Sequence, residues 1–127
     1  MYNTTKKLYG EITLPGDKSI SHRLLMVGAL INHKSMICNL SNCKDVLTTI
    51  ECLRACNVKI KFIDDENVKI YGGNLQSPLE NLDCQNSGTT VRLLVGLLAG
   101  QGIAANFIGD ESLSNRPMKR IIEPLKI

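Results

Sequence analysis

The chain has 127 residues, of which 43% are hydrophobic and 21% charged, and a net charge of +3; that is the make-up of one globular domain with a real core, and it excludes disorder. Its longest apolar run, Leu93 to Ala99, is far shorter than the ~20 residues a membrane span needs, and no apolar stretch follows the early lysines as in a secretory signal. Trp is absent, aromatics are 4% and the lysines are scattered, so the mild positive charge suits small anions better than nucleic acid.

In chain order, Lys7 to Leu14 reads as a short strand stopped by the turn signal Pro15-Gly16-Asp17. A helix follows from about Ser19 to Ile31, with Ile20, Leu24, Val27 and Ile31 on one face. Ser35 to Leu40 is a second strand. Ser41-Asn42 offers capping oxygens to a second helix, Lys44 to Cys56, with Val46, Ile50 and Leu53 turned inward. Val58 to Ile63 and Asn67 to Tyr71 form a hairpin around Asp64-Asp65-Glu66. The polar connection Gly72 to Glu80 leads to Asn86-Ser87-Gly88-Thr89-Thr90. Val91 to Ala99 is then a helix apolar almost all round, hence buried. Ile103 to Ile108 suits a strand, and Pro117 the first turn of a last helix.

The five cysteines, Cys38, Cys43, Cys52, Cys56 and Cys84, lack zinc-knuckle spacing and point to free thiols in a reducing compartment. Cys52 and Cys56, one helical turn apart, act as small core residues. Arg23-Leu24-Leu25 and Arg92-Leu93-Leu94 are 69 residues apart, which suggests an internal repeat of one α/β unit whose second copy is cut short.

Two segments share a physical design. Pro15-Gly16-Asp17 delivers Lys18 and Ser19 to a helix start, with Arg23 on the same side one turn later. In Asn86-Ser87-Gly88-Thr89-Thr90 a glycine admits close approach to backbone N–H groups beside hydroxyls and an amide. Free N–H groups and the positive dipole end make a helix start a natural anion site. Taken singly, each segment is equally a cap or a turn, and Arg116-Pro117 a solvated helix start. His22 reads as well as a packing residue as a catalytic one. P-loop, nucleophile-elbow, metal-binding His-pair and dinucleotide patterns are missing. The residues alone give an anion-binding α/β domain.

Leu14-Pro15-Gly16-Asp17-Lys18-Ser19-Ile20-Ser21-His22-Arg23, Asn86-Ser87-Gly88-Thr89-Thr90-Val91-Arg92-Leu93-Leu94 and Gly109-Asp110-Glu111-Ser112-Leu113-Ser114-Asn115-Arg116-Pro117-Met118 together resemble the N-terminal portion of the 5-enolpyruvylshikimate-3-phosphate synthases, in order and with about the family's spacing. The resemblance implies an α/β (α+β) fold of repeated βαβαββ units in two domains. Residues 15–72 would be the first unit, 83–127 an incomplete second, and about 1–14 would belong to the other domain. It implies transfer of an enolpyruvyl group from phosphoenolpyruvate to shikimate 3-phosphate, in the cytoplasm, by a protein monomeric at full length, without cofactor or metal. Lys18, Ser19 and Arg23 would hold shikimate 3-phosphate. Lys18, Asn86, Gly88, Thr89 and Arg116 would hold phosphoenolpyruvate, and Lys18 is the candidate for proton transfer. Gly88 suggests the glyphosate-sensitive form, and Leu93 stands where other members have proline. The chain alone, less than a third of the family's length, is expected to be inactive. Two other readings stand beside this one: a UDP-sugar enolpyruvyl transferase, disfavoured by Ser19 and Arg23, and a non-catalytic anion-binding module.

Overall fold

The computed structural model describes Lys7 and residues 9–126. Its elements in chain order are α1 (Lys18–Leu30), β1 (Lys34–Ile37), α2 (Lys44–Ala55), β2 (Lys59–Phe62), β3 (Val68–Tyr71), β4 (Leu82–Asp83), α3 (Gly88–Gly100), β5 (Phe107–Ile108), α4 (Glu111–Ser114) and α5 (Lys119–Ile122), with a 3-10 turn over Pro124–Lys126. The hairpin reading holds: β2 and β3 are antiparallel, Lys59 opposite Tyr71 and Phe62 opposite Val68. β1 pairs with the other edge of β3, also antiparallel, so the sheet order is β1-β3-β2, with α2 crossing between the two outer strands. β4 and β5 are a short parallel pair joined through α3.

The core lies where α1, α2 and α3 meet one another and the inner face of the sheet. Val46, Ile50 and Leu53 of α2 point into it, as their spacing predicts, beside Ile60, Val68 and Ile70. Gly28 lets α1 lie close on Ile70, since a Cβ there would come within 2.9 Å of the Ile70 side chain. Cys52, Cys56 and Cys84 are buried and free, and burial pushes the Cys56 thiol up to about 11, which leaves it an inert core group.

Several expectations are corrected. Lys7 and Tyr9 to Leu14 are in no strand, while Leu8 lies outside the described residues. Among the described residues β1 pairs only with β3, and a strand without a partner leaves its backbone groups to water. The second strand ends at Ile37 because Asn39 takes a left-handed φ of 53°. α2 is capped at Cys43 without a side-chain bond. Neither Ser41 nor Asn42 serves as its cap, and the Ser41 N–H is instead bonded to Ser21 Oγ at 2.9 Å. The strand expected over Ile103 to Ile108 is reduced to Phe107–Ile108, and the last helix begins at Lys119, after Pro117. β4, two residues long, gave no alternation to detect.

The largest correction concerns α1. Ile20, Leu24, Val27 and Ile31, the face read as apolar and periodic, are 59%, 43%, 53% and 40% exposed. The helix packs inward through Ser21, His22, Leu25, Met26, Gly28 and Ala29 instead. α1 is thus apolar on two faces and covered on one. α3 likewise buries Val91, Leu94 and Leu98, while Leu93, Val95 and Leu97 are half-buried and Gly96 is exposed.

The two 13-residue helices α1 and α3 do resemble each other. Asp17 accepts from the N–H of Ile20 and Ser87 from that of Thr90, the same side-chain cap in both. The caps are 70 residues apart and the starts of β1 and β5 are 73 apart, so the spacing of 69 is not kept. Arg23 is the sixth residue past its cap and Arg92 the fifth. One residue is about 100° of helix, and the two arginines therefore point in different directions.

Candidate functional site

The first turns of α1 and α3 come together over the start of α2. Lys18, in the first turn of α1, extends its ammonium to Asp45 in the first turn of α2, Nζ to Oδ2 at 3.0 Å. That carboxylate, through its hydrogen bond first and its charge second, raises the Lys18 pKa. Both groups are partly open to water, so the pair itself adds little stability while keeping a cation fixed at the surface. Ser19 is exposed beside it, and Arg23 reaches back one turn, its Nη1 donating to the Ser19 carbonyl at 2.9 Å. Lys18, Ser19 and Arg23 are therefore neighbours on one helix start, as the sequence predicts.

On α3, Asn86 precedes the Ser87 cap, Gly88 is the first helical residue and Thr89 is half-buried in the first turn. Asn86 donates from Nδ2 to Asp110 Oδ2 at 2.7 Å and accepts at Oδ1 from the Arg116 guanidinium. Asp110 also caps α4 through the Leu113 N–H. A Cβ on Gly88 would lie 2.7 Å from Nη1 of Arg92 and 3.0 Å from Nη1 of Arg116, so two guanidinium groups converge on a backbone kept bare by glycine. Among the described residues, no group of three or more His, Cys, Asp or Glu side chains is arranged to hold a metal ion.

The halves are joined beneath the surface. Asp45 holds Lys18 by its carboxylate, and its carbonyl lies 3.3 Å from Thr90 Oγ1 and 3.4 Å from Thr49 Oγ1. His22, fully buried, has Nδ1 2.8 Å from Thr49 Oγ1, which is 2.8 Å from Thr90 Oγ1. Asp45, Arg92 and Asp110 thus belong to the site although sequence reasoning did not select them as site residues. Arg92 carried a signal in its likeness to Arg23 and Asp110 one in the third of the resembling motifs; Asp45 carried none. Among the described residues, the buried Arg92 Nε has no hydrogen-bond partner, a sign of a guanidinium held in place for something other than the core.

Asp110 gives a pH prediction. The Leu113 N–H, and after it the Asn86 amide, hold its carboxyl below the usual carboxylate range. A depressed carboxyl contributes stability above the unfolded value of about 3.9 and loses it as pH falls through the folded one. A carboxyl-detected titration should find Asp110 below ordinary aspartates, and Asn86→Ala should raise it. An unchanged midpoint in that variant would mean that the amide bond is not maintained in water.

A protein-family model described as EPSP synthase (3-phosphoshikimate 1-carboxyvinyltransferase) matches residues 2–127. The 3-phosphoshikimate 1-carboxyvinyltransferase of Desulforamulus reducens is 48% identical over 127 residues, covering 98% of this chain and 30% of its own length. That of Herpetosiphon aurantiacus is 48% identical over 124 residues, covering 95% and 28%. An EPSP synthase structure from Acinetobacter baumannii superposes with a TM-score of 0.86 at 39% identity, over 92% of this chain and 27% of that one. The chain thus spans under a third of the length of the relatives it matches. With the likeness running along nearly all of its residues in both sequence and shape, the chain belongs to the EPSP synthase family.

Proposed function

We propose that this chain supplies part of the site at which the enolpyruvyl group passes from phosphoenolpyruvate to the 5-hydroxyl of shikimate 3-phosphate, with release of phosphate. One observation carries the reading: two capped helix starts, one bearing Lys18, Ser19 and Arg23 and the other Asn86, Gly88 and Thr89 beside Arg116, meet over Asp45. Two polyanionic substrates need several cations fixed before they arrive, and such preorganised charge stabilises a charged transition state without further reorganisation. Lys18, Ser19 and Arg23 take shikimate 3-phosphate; Lys18, Asn86, Gly88, Thr89 and Arg116 take phosphoenolpyruvate. The 5-hydroxyl adds across the enol ether, and phosphate then leaves the tetrahedral intermediate, with Lys18 placed for proton transfer. The bare Gly88 backbone suits a small anion approaching two guanidinium groups, and an alanine Cβ would crowd both. The same crowding is the basis for assigning this chain to the glyphosate-sensitive form.

In this reading residues 15–72, which hold α1, β1, α2, β2 and β3, are the first βαβαββ unit without its opening strand, residues 83–127 are an incomplete second, and about 1–14 belong with another domain. The uncovered apolar face of α1 and the exposed Tyr9, Ile12 and Leu14 support it, because a helix apolar on all sides is normally covered on all sides. A half-cleft does not exclude water or complete a catalytic set, so the chain alone binds without turnover. The test is a titration of the chain with shikimate 3-phosphate followed by backbone amide spectra, with Lys18→Ala beside it. Shifts at Lys18, Ser19 and Arg23 that vanish in the variant are expected. Dispersed spectra indifferent to the ligand would overturn the half-site, and turnover by the chain alone would overturn its inactivity.

A further inference from the structure

His22, Thr49, Thr90 and Ser87 are all buried, on α1, α2, the first turn of α3 and its cap respectively. The oxygens and the imidazole form an unbroken file: His22 Nδ1 to Thr49 Oγ1 at 2.8 Å, Thr49 Oγ1 to Thr90 Oγ1 at 2.8 Å, and Thr90 Oγ1 to Ser87 Oγ at 2.6 Å. Among the described residues, His22 Nε2 has no hydrogen-bond partner. Each hydroxyl has one proton to give. Thr49 and Thr90 also have the Asp45 carbonyl near, at 3.4 and 3.3 Å from their Oγ1 atoms, but the next oxygen in the file, at 2.8 and 2.6 Å, is the closer acceptor for each, so the state of the imidazole sets the direction of the file. A proton on Nε2 would be a buried donor with no acceptor, and a charged imidazolium would add an unpaired charge to that cost. With the proton on Nδ1, only a bare lone pair is left unmatched. Thr49 then accepts from His22 and gives its own proton to Thr90, which gives its proton to Ser87. The charged groups around His22 are Lys18 and Arg23 on its own helix and Asp45 on α2, whose carboxylate is already engaged by Lys18.

We infer that neutral His22 heads a one-way hydrogen-bond chain, His22 Nδ1–H to Thr49 to Thr90 to Ser87, which fixes the second turn of α1, next to Arg23, against the first turn of α3, and that His22, Thr49 and Thr90 are positioning residues for the two anion-receiving helix starts. The arrangement suits this task because its two ends adjoin the binding residues. His22 precedes Arg23 in the chain, and Ser87 lies between Asn86 and Gly88. Ser87 Oγ also accepts the Thr90 N–H at 3.2 Å, so the end of the file is the cap of α3 itself. None of the three positioning groups needs to touch a ligand. The identity of the ligands rests on the function proposed above, whereas the chain of protons does not.

The experiment is a long-range proton–nitrogen spectrum of the His22 ring in the 15N-labelled chain from about pH 5 to about pH 8, alongside Thr49→Val and Thr49→Ser. The expected result is a neutral Nδ1–H ring that does not titrate in this range in the parent chain and in Thr49→Ser. In Thr49→Val that ring signature is lost and the Ser87 to Thr90 amides move. Shikimate 3-phosphate affinity falls about tenfold in Thr49→Val, as for the loss of one buried hydrogen bond, and returns in Thr49→Ser. An Nε2–H ring or an imidazolium in the folded parent chain overturns the proposal without any variant having to fold. So does a folded Thr49→Val whose α3 amides stay in place. Failure of the parent chain to bind shikimate 3-phosphate would count against the ligand assignment, and the ring signature and the α3 amides, which need no ligand, would still decide the proton chain.

Discussion

Leu53→Ala is expected to lower the free energy of unfolding by about 3 kcal/mol, read as a fall in the urea midpoint with an unchanged slope. Leu53 is fully buried on α2, and its carbonyl takes the Val58 N–H at 3.0 Å where the chain turns toward β2. Truncation removes the transfer energy of the side chain and leaves a cavity between two elements tied at that point, which limits collapse around it. A domain of this size has roughly 5–15 kcal/mol of stability in all, so the variant should be plainly weakened though still folded. The matching control is Leu24→Gln on α1. Leu24 has the same residue type and a periodic apolar setting, but it is 43% exposed, and its replacement should change stability by no more than ~0.5 kcal/mol. Equal losses at the two positions would mean that the α1 stripe is covered in solution.

That contrast marks what a sequence read alone could and could not yield. α2 was legible because it has one apolar face and that face is the one buried. In α1 the residues at Ile20, Leu24, Val27 and Ile31 give the stronger periodic signal, yet the helix turns inward the face of His22, Leu25, Met26 and Ala29, on which Gly28 allows close contact with Ile70 of β3. Periodicity reports which side of a helix is apolar and is silent on which of two apolar sides meets a partner. At the site, Lys18, Ser19 and Arg23 were legible because they lie within two turns of one helix. The meeting of α1 with α3 was not, since it depends on Asp45, Thr49 and Thr90, residues whose types and spacing are those of any helix surface. Arg92 was visible in the repeat, but its direction was not, because the helix caps are set one residue out of the repeat's spacing.

Gly16→Ala should be among the most damaging single changes in the chain, and it should damage site and fold together. A Cβ at Gly16 would overlap the carbonyl oxygen of Asn39 and come within 2.8 Å of the Ser41 nitrogen. Both are backbone atoms, so no side chain can rotate away. The loop they belong to is held in turn: Asn39 has a left-handed φ of 53°, Leu40 donates to the Glu66 carbonyl at 2.7 Å, and Ser41 donates to Ser21 Oγ, which itself bonds the Asp17 carbonyl at 2.7 Å. Forcing a methyl between these strands of backbone should cost about 2–3 kcal/mol. The displaced segment carries the Asp17 cap and then Lys18, so shikimate 3-phosphate binding should disappear even at temperatures where the variant remains folded. Gly10→Ala is the control, because nothing lies within 4 Å of a Cβ there. The two effects of Gly16→Ala can be separated by following the amides of Lys18 and Ser19 while monitoring global stability. A stable variant with displaced amides and no binding would assign Gly16 to the placement of the anion site. A stable variant that still binds would show that the 39–41 loop yields, and would remove the turn from the set of features that hold Lys18 in position.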